Sequence, residues 1–341
     1  MTASADSPAP SDRQAVAHPP RVLVSVLNWN GAEKTLECVA GLAQSTHRNL
    51  QIVVVDNASR AADLARLRQA AAARGFTLIE NGVNGGYAEG HRRSVEMALA
   101  EDADFVCLLN NDLHVPPETV AKLVAAQRTQ GGIVGGAPVD VPLAGVHPDL
   151  DAVEAPADAL LQIHRKYLGR HFRQMIFARE QFLPYLQLRR ERGPITEVSG
   201  LSGSCLLLPM PLIRAHGFMD PGFFLYFEEM DYLFRLSRSG VRLWLCCDAP
   251  VWHEREGSSS GQSSRIGAMI QYYRIRNQIH FIRRYGSGRE VAMAQVKNLL
   301  LAGAALLRGR WRRAAYVLRG AWDGQRGIFG KTVSPEDALD P

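Results

Sequence analysis

The chain has 341 residues, 46% of them hydrophobic and 21% charged. That globular composition excludes wholesale disorder, a collagen-like fibre and a disulfide-stapled scaffold, and the length allows about two domains. The net charge of +5 is too small to indicate a nucleic-acid partner. It is also unevenly placed, because residues 283–326 hold ten Lys/Arg against two Asp/Glu.

Residues 1–20 carry Pro8, Pro10, Pro19 and Pro20 among small polar residues and no apolar core, which predicts a disordered leader and no secretory signal. Val22 to Leu27 is a short Val/Leu run that reads as a buried strand, and Ala32 to Ala43 follows with helical spacing. The unit repeats: a strand over Gln51–Val55, a helix over Ala61–Arg74, a strand over Phe76–Glu80, a loop over Asn81–Gly90, a helix to Ala100 and a strand over Phe105–Leu109. Strands alternating with helices of this length predict an α/β fold with a mostly parallel sheet flanked by helices, whose ligand lies at the carboxyl ends of the strands. Residues 138–192 lose the pattern and read as an insertion. Strands return at Val198–Leu208 and Val241–Cys246, with a helix over Glu229–Arg238 between them and Val251-Trp252-His253 after the second. Ser258–Ser264 is a flexible, Ser-rich loop, and two helices are expected over Ile266–Tyr285 and Val291–Trp322. The longest apolar run, Leu299 to Leu307, is too short to cross a bilayer, so no span is expected. Five cysteines without metal-site spacing suggest reduced thiols and a cytoplasmic setting.

Polar residues bunch where the first four strands end: Asn28 and Asn30, Asp56 and Asn57, Asn81 and Asn84, and Asn110, Asn111 and Asp112. Asn and Asp are ordinary turn residues, but four consecutive occurrences at one sheet edge point to a binding crevice. Asp112 ends an apolar strand, and a carboxylate there suits a hard cation such as Mg²⁺ or Mn²⁺, with His253 as a second ligand. Glu228, Glu229 and Asp231 open a helix after an aromatic run. The cluster either complements the helix dipole or, desolvated by that run, supplies a general base. No GxxxxGK[ST], GxGxxG or GxSxG pattern occurs in a productive place, which disfavours a nucleotide-cleaving P-loop, a dehydrogenase and a serine hydrolase.

The ordered segments VSVLNWNG, VVVDNAS, ENGVNGGYAEG, LLNNDLHVPP, GSCLLLP, FFLYFEEMDYLFRLSRSG, VWHEREGSS and YYRIRNQ resemble bacterial family 2 glycosyltransferases of the GT-A fold, nearest the rhamnosyltransferase-like branch. The resemblance runs from about residue 21 to 285. It implies a GT-A domain over 21–264, a helical C-terminal extension over 265–330 and a tail over 331–341. Asn28, Asn30, Asp56, Asn81, Asn84, Gly86, Asn110 and Asn111 would line the donor site, with Asp56 on the base or ribose. Asn110-Asn111-Asp112 matches a DxD-type motif, so Asp112 with His253 would hold Mg²⁺ or Mn²⁺ on the donor diphosphate. Glu228-Glu229 falls on the family's Glu-Asp pair and nominates Glu229, or Glu228, as catalytic base, with Asp231 and Trp252 on the acceptor side. Arg276 and Asn277 match an Arg-Asn pair to which no role attaches.

Two departures stand out: Glu229 replaces the usual Asp, and Gly90-His91-Arg92-Arg93-Ser94 replaces a small neutral corner, adding positive charge near the expected diphosphate. The implied activity is an inverting, metal-dependent transfer of a sugar, rhamnose from dTDP-rhamnose being the first choice, from a dTDP- or UDP-sugar to a glycan or lipid-linked glycan. A mobile lid over Gly257–Ser264 would exclude water. A catalytically silent nucleotide-sugar or glycan-binding subunit and a sugar-phosphate nucleotidyltransferase are the alternatives. Residues 291–319, with LLLAGAALL beside four arginines, suit either a packed helix pair or attachment to an anionic membrane surface, which would make the protein peripheral on the inner face of the cell membrane.

Overall fold

The computed structural model describes residues 18–142, 159–164, 180–255 and 264–334. The leader, much of the 138–192 segment, the lid candidate up to Ser263 and most of the tail therefore lie outside the described residues. The N-terminal half alternates as its apolar runs dictate: β1 (Val22–Asn28), α1 (Ala32–Ala43), β2 (Leu50–Asp56), α2 (Ala61–Arg74), β3 (Thr77–Glu80), α3 (Gly86–Ala100) and β4 (Phe105–Asn110). These strands pair in parallel in the order β3-β2-β1-β4. Val24, Val54 and Leu109 pack under α1 on one face, and Leu23, Val53 and Leu108 pack toward α3 on the other, so both faces of the sheet are covered.

Beyond β4 the sheet becomes mixed. After β5 (Leu113–His114) and α4 (Thr119–Gln130) come β6 (Ile133–Pro142), β7 (Leu160–His164), β8 (Glu180–Pro184), α5 (Tyr185–Arg192), β9 (Ile195–Glu197), β10 (Cys205–Pro209) and α6 (Met210–His216). A 3₁₀ turn (Pro221–Phe223), α7 (Glu228–Arg238) and β11 (Leu243–Arg255) complete it. β10 runs antiparallel between β4 and β6, while β11 is parallel to β6. The expected Val198–Leu208 strand shortens to β10. The segments on either side of Asp248 are one strand, β11, with an irregularity between Cys246 and Pro250. Part of the expected insertion is sheet: β6 passes through Pro138 to Pro142, and β7 pairs with both β6 and β8.

Three helices close the described chain: α8 (Ser264–Tyr285), α9 (Gly288–Leu307) and α10 (Trp311–Arg326). The expected continuous helix over Val291–Trp322 breaks at Gly309, whose φ is +67°. Gly320 and Gly324 bring α10 against α8; a Cβ on them would lie 2.7 Å from the Tyr272 carbonyl oxygen and 2.8 Å from that of Arg276. The apolar character of α9 extends beyond Leu299–Leu307: by length and composition this 20-residue helix could cross a membrane.

Candidate active site

The carboxyl ends of β1, β2 and β4 meet in one hydrogen-bond cluster centred on Asn28, which is fully buried. Its amide nitrogen donates to Asp56 Oδ1 (2.8 Å), Ser59 Oγ (2.9 Å) and Asp63 Oδ2 (3.0 Å). Its oxygen accepts from Gly31 N, Thr35 Oγ1 and Asn111 Nδ2. Asp56 also accepts from Ser59 N, so both its oxygens serve the cluster and the side chain is buried. Asn30, at φ 53°, caps the start of α2 by accepting from Arg60 N. Next to it, Asn57 Nδ2 donates to Asn84 Oδ1 and Gly86 O, and Asn81 Nδ2 to Gly90 O. The polar residues thus converge, but as a scaffold whose donors and acceptors are largely paired with one another. Asn110 joins through its backbone, N–H to Ser204 O at 3.0 Å.

Two residues beyond Asn110, Asp112 meets His253. Register explains the meeting: His253 of β11 lies opposite Leu113 of β5 and opposite Asp140 of β6. His253 Nε2 is 3.0 Å from Asp112 Oδ2 and Nδ1 is 3.0 Å from Asp140 Oδ1. Hydrogen bonds to Asp112 and Asp140 push the imidazole pKa up to about 10, so at neutral pH it is a cation bridging two carboxylates. Burial opposes the Asp112 charge, yet His253 holds that carboxyl below its usual range. Asp112 Oδ1 is buried without a hydrogen-bond partner, and such an atom costs free energy until something pairs with it. Asp112 and His253 therefore fit a hard cation that takes its remaining ligands from a diphosphate and water. The His253 lone pair faces such an ion only after Nε2 loses its proton. Among the described residues no three His, Cys, Asp or Glu form a metal-holding group. Asp140, which orients the ring, was not anticipated; the one signal was the alternation of Val139 and Val141 around it.

The acidic pair lies across the Gly203-Ser204 turn. A Cβ on Gly203 would touch Glu229 Cγ at 3.4 Å and the Tyr87 ring at 3.5 Å, and the Tyr87 hydroxyl donates to Gly203 O. Burial, then the charges of Glu228 and Glu229, raise the Tyr87 phenol well above its usual range, which keeps it a neutral donor. Glu229 Oε2 is a second buried oxygen without a partner. The backbone leading to this pair is contorted: Phe224, Tyr226 and Phe227 have φ of 63°, 65° and 75°, each a costly left-handed conformation for a bulky residue. Asn277 holds the turn, its Nδ2 donating to the carbonyls of Phe223 (2.8 Å), Leu225 (2.9 Å) and Tyr226 (2.8 Å). The fully buried Arg276 donates to Phe223 O, Asn277 Oδ1, Gly330 O and Thr332 Oγ1 and lies over the Tyr273 ring at 4.8 Å. The Arg-Asn pair therefore fixes the approach to Glu228 and Glu229. On the other side the Phe224 carbonyl accepts from Tyr87 N, directly over Gly86.

Three expectations need correction. Asp231 is 1% exposed and accepts from Arg284 Nη1 (2.8 Å) and Tyr285 OH (2.9 Å), which ties α7 to α8 and keeps it from an acceptor. Trp252 is buried in the core against Tyr185 because strand alternation turns it away from His253. Residues 90–94 are helix, not a loop corner: His91 is inside, Arg92 pairs with Glu89 and Arg93 donates to Glu80 O, so the two cations are engaged within α3 and at the end of β3.

Comparison with known proteins places this geometry. Residues 22–176 match the family Glycosyl transferase family 2. The low-salt glycan biosynthesis hexosyltransferase of Haloferax volcanii is 22% identical over 296 residues, covering 84% of this chain and 85% of its own. A crystal structure of GalNAc-T7 with UDP, GalNAc and Mn²⁺ superposes with a TM-score of 0.60 at 12% identity, covering 92% of this chain, which spans 57% of the other. A mannosyltransferase of Pyrobaculum calidifontis in complex with GDP-Man and Mn²⁺ gives a TM-score of 0.50 at 16% identity, over 91% and 88% of the two chains. The fold is accordingly of the GT-A type, with a mixed, mostly parallel central sheet flanked by helices and helices at the C-terminal end.

Proposed function

We infer, from a chain whose residues 22–176 are a family 2 glycosyltransferase domain, an inverting transfer of a sugar from a nucleotide-sugar donor to a hydroxyl of a glycan or lipid-linked glycan. One observation carries the reading: two buried carboxylate oxygens without partners, Asp112 Oδ1 and Glu229 Oε2, belong to segments joined by the Asn110 N–Ser204 O hydrogen bond, Asp112 two residues beyond Asn110 and Glu229 packed beside Gly203. That is the division of labour a displacement at an anomeric carbon requires.

Glu229 takes the proton of the acceptor hydroxyl while that oxygen bonds to the anomeric carbon, and the bond from that carbon to the diphosphate oxygen breaks on the opposite face. Tyr87 and Gly203 pack against the Glu229 side chain, and Asn277 fixes the turn that presents it. Asp112, with His253 oriented by Asp140, would hold Mg²⁺ or Mn²⁺. The cation would neutralise charge on the departing nucleoside diphosphate. Mn²⁺ and nucleotides in the two similar solved structures support this reading. Rhamnose from a dTDP donor is the first donor to try, UDP-sugars the next.

The test is release of free nucleotide from dTDP-rhamnose and a set of UDP- and GDP-sugars with Mg²⁺ or Mn²⁺, in the wild type, Asp112→Ala and Glu229→Gln. Turnover of one donor, lost in both variants, is expected. Turnover that survives both substitutions would reject the assigned roles, and failure to bind any nucleotide sugar would reject the function.

A further inference from the structure

The helices α9 and α10 form a hairpin whose outer face is unusually apolar. On α9, Val296 (57% exposed), Leu299 (59%), Leu300 (70%) and Leu307 (91%) face outward, and on α10 Trp311 (69%) and Trp322 (63%) do the same. The α10 residues Trp311, Leu318 and Trp322 fall at intervals of seven and four, a single stripe along the helix. Scattered exposed apolar residues need no explanation, but an exposed apolar stripe on each of two packed helices does.

Its charge is one-signed. Residues 288–326 hold eight Lys/Arg, all of them exposed. The two acids there are buried, Glu290 in the cap of α9 and Asp323 beneath the Tyr272 hydroxyl. Tryptophan and leucine on one side with arginine beside them is the composition of a helix lying in a membrane interface, where indole rings sit at headgroup depth and cations meet anionic lipid.

Two other occupants fit worse. Insertion of α9 across the bilayer would tear Ala302 and Ala305 from Ala314, Val317 and Ala321, and would bring the buried Asn298 into hydrocarbon. Pairing with a second copy through this face would bring together two helix pairs that carry exposed cations and no exposed acid.

We propose that the α9–α10 face docks in the plane of an anionic lipid bilayer, with Trp311 and Trp322 at the level of the headgroups. This surface is separate from the donor chemistry proposed above, so either reading can fail alone. The test is co-sedimentation of the full chain with phosphatidylcholine vesicles, with and without phosphatidylglycerol, alongside tryptophan emission. Binding to the phosphatidylglycerol vesicles with a blue shift is expected, weakened by salt. Replacing Arg308, Arg310, Arg312 and Arg313 together by Ser should weaken it about a hundredfold or more. Trp311→Ser with Trp322→Ser should remove the blue shift and most of the binding. No vesicle binding by the wild type, binding unaffected by both sets, or a concentration-dependent dimer abolished by the tryptophan substitutions would each overturn the proposal.

Discussion

Replacing Asn277 by Leu keeps the branched side-chain skeleton and removes the amide that donates to the Phe223, Leu225 and Tyr226 carbonyls. The Phe223 carbonyl keeps Arg276 Nη2 and Leu225 N, so the loss falls on the carbonyls of Leu225 and Tyr226, at about 1–3 kcal/mol each. Three left-handed residues, each strained by about 1–3 kcal/mol, then have less to hold them. The turn should relax while the sheet stays folded, which caps the global cost at about 2–3 kcal/mol. Glu229 follows the turn directly, so nucleotide release should fall by about a hundredfold in kcat, equivalent to about 2.7 kcal/mol. The KM for the donor should change little, because Asp112 and His253 belong to other strands. The assays are urea unfolding and donor turnover on the same preparation. A kcat within about threefold of wild type would refute the positioning role.

Two further outcomes follow from buried groups. His91 is fully buried and burial pushes its pKa down to about 3, whereas the unfolded chain binds that proton near pH 6.5. Its contribution to stability is therefore complete above about pH 7.5 and lost as pH falls, by about 2 kcal/mol at pH 5. His91→Gln should flatten that part of the urea-midpoint profile, and an unchanged slope would contradict it. Gly86 has φ +83° and a Cβ there would lie 1.8 Å from the Phe224 carbonyl oxygen. Gly86→Ala should thus lower the melting temperature by several degrees, a loss of about 2 kcal/mol or more, with turnover falling in parallel; an unshifted melt would show that the contact is dispensable.

β1, β2 and β4 were legible because their Val/Leu runs are bounded by turn residues and buried on both faces, and α1 and α2 begin and end where their spacing predicts. The start of α3 was not, because a contact with Phe224, far along the chain, lets the helix begin at Gly86 instead of after Gly90. Pro138 and Pro142 hid the last part of β6, and with it Asp140. The positions of Asp112 and His253 at the ends of apolar runs carried enough signal to pair them. The acidic cluster did not reveal which member is structural, since the partners that consume Asp231, Arg284 and Tyr285, lie more than fifty residues later. The Arg-Asn pair was visible as a motif, but its purpose requires the three carbonyls it meets.

The turn before Glu228 is also secured from beyond α10. Arg276 reaches Gly330 O and Thr332 Oγ1, and the Tyr273 hydroxyl donates to Val333 O. A ribosome makes the donor-side sheet first, and domains form in that order as the chain emerges. Glu228 and Glu229 are already synthesised then, but the segment that locks their turn leaves the exit tunnel about a hundred residues later. The geometry of that turn is therefore set only once residues 330–333 have packed against α8.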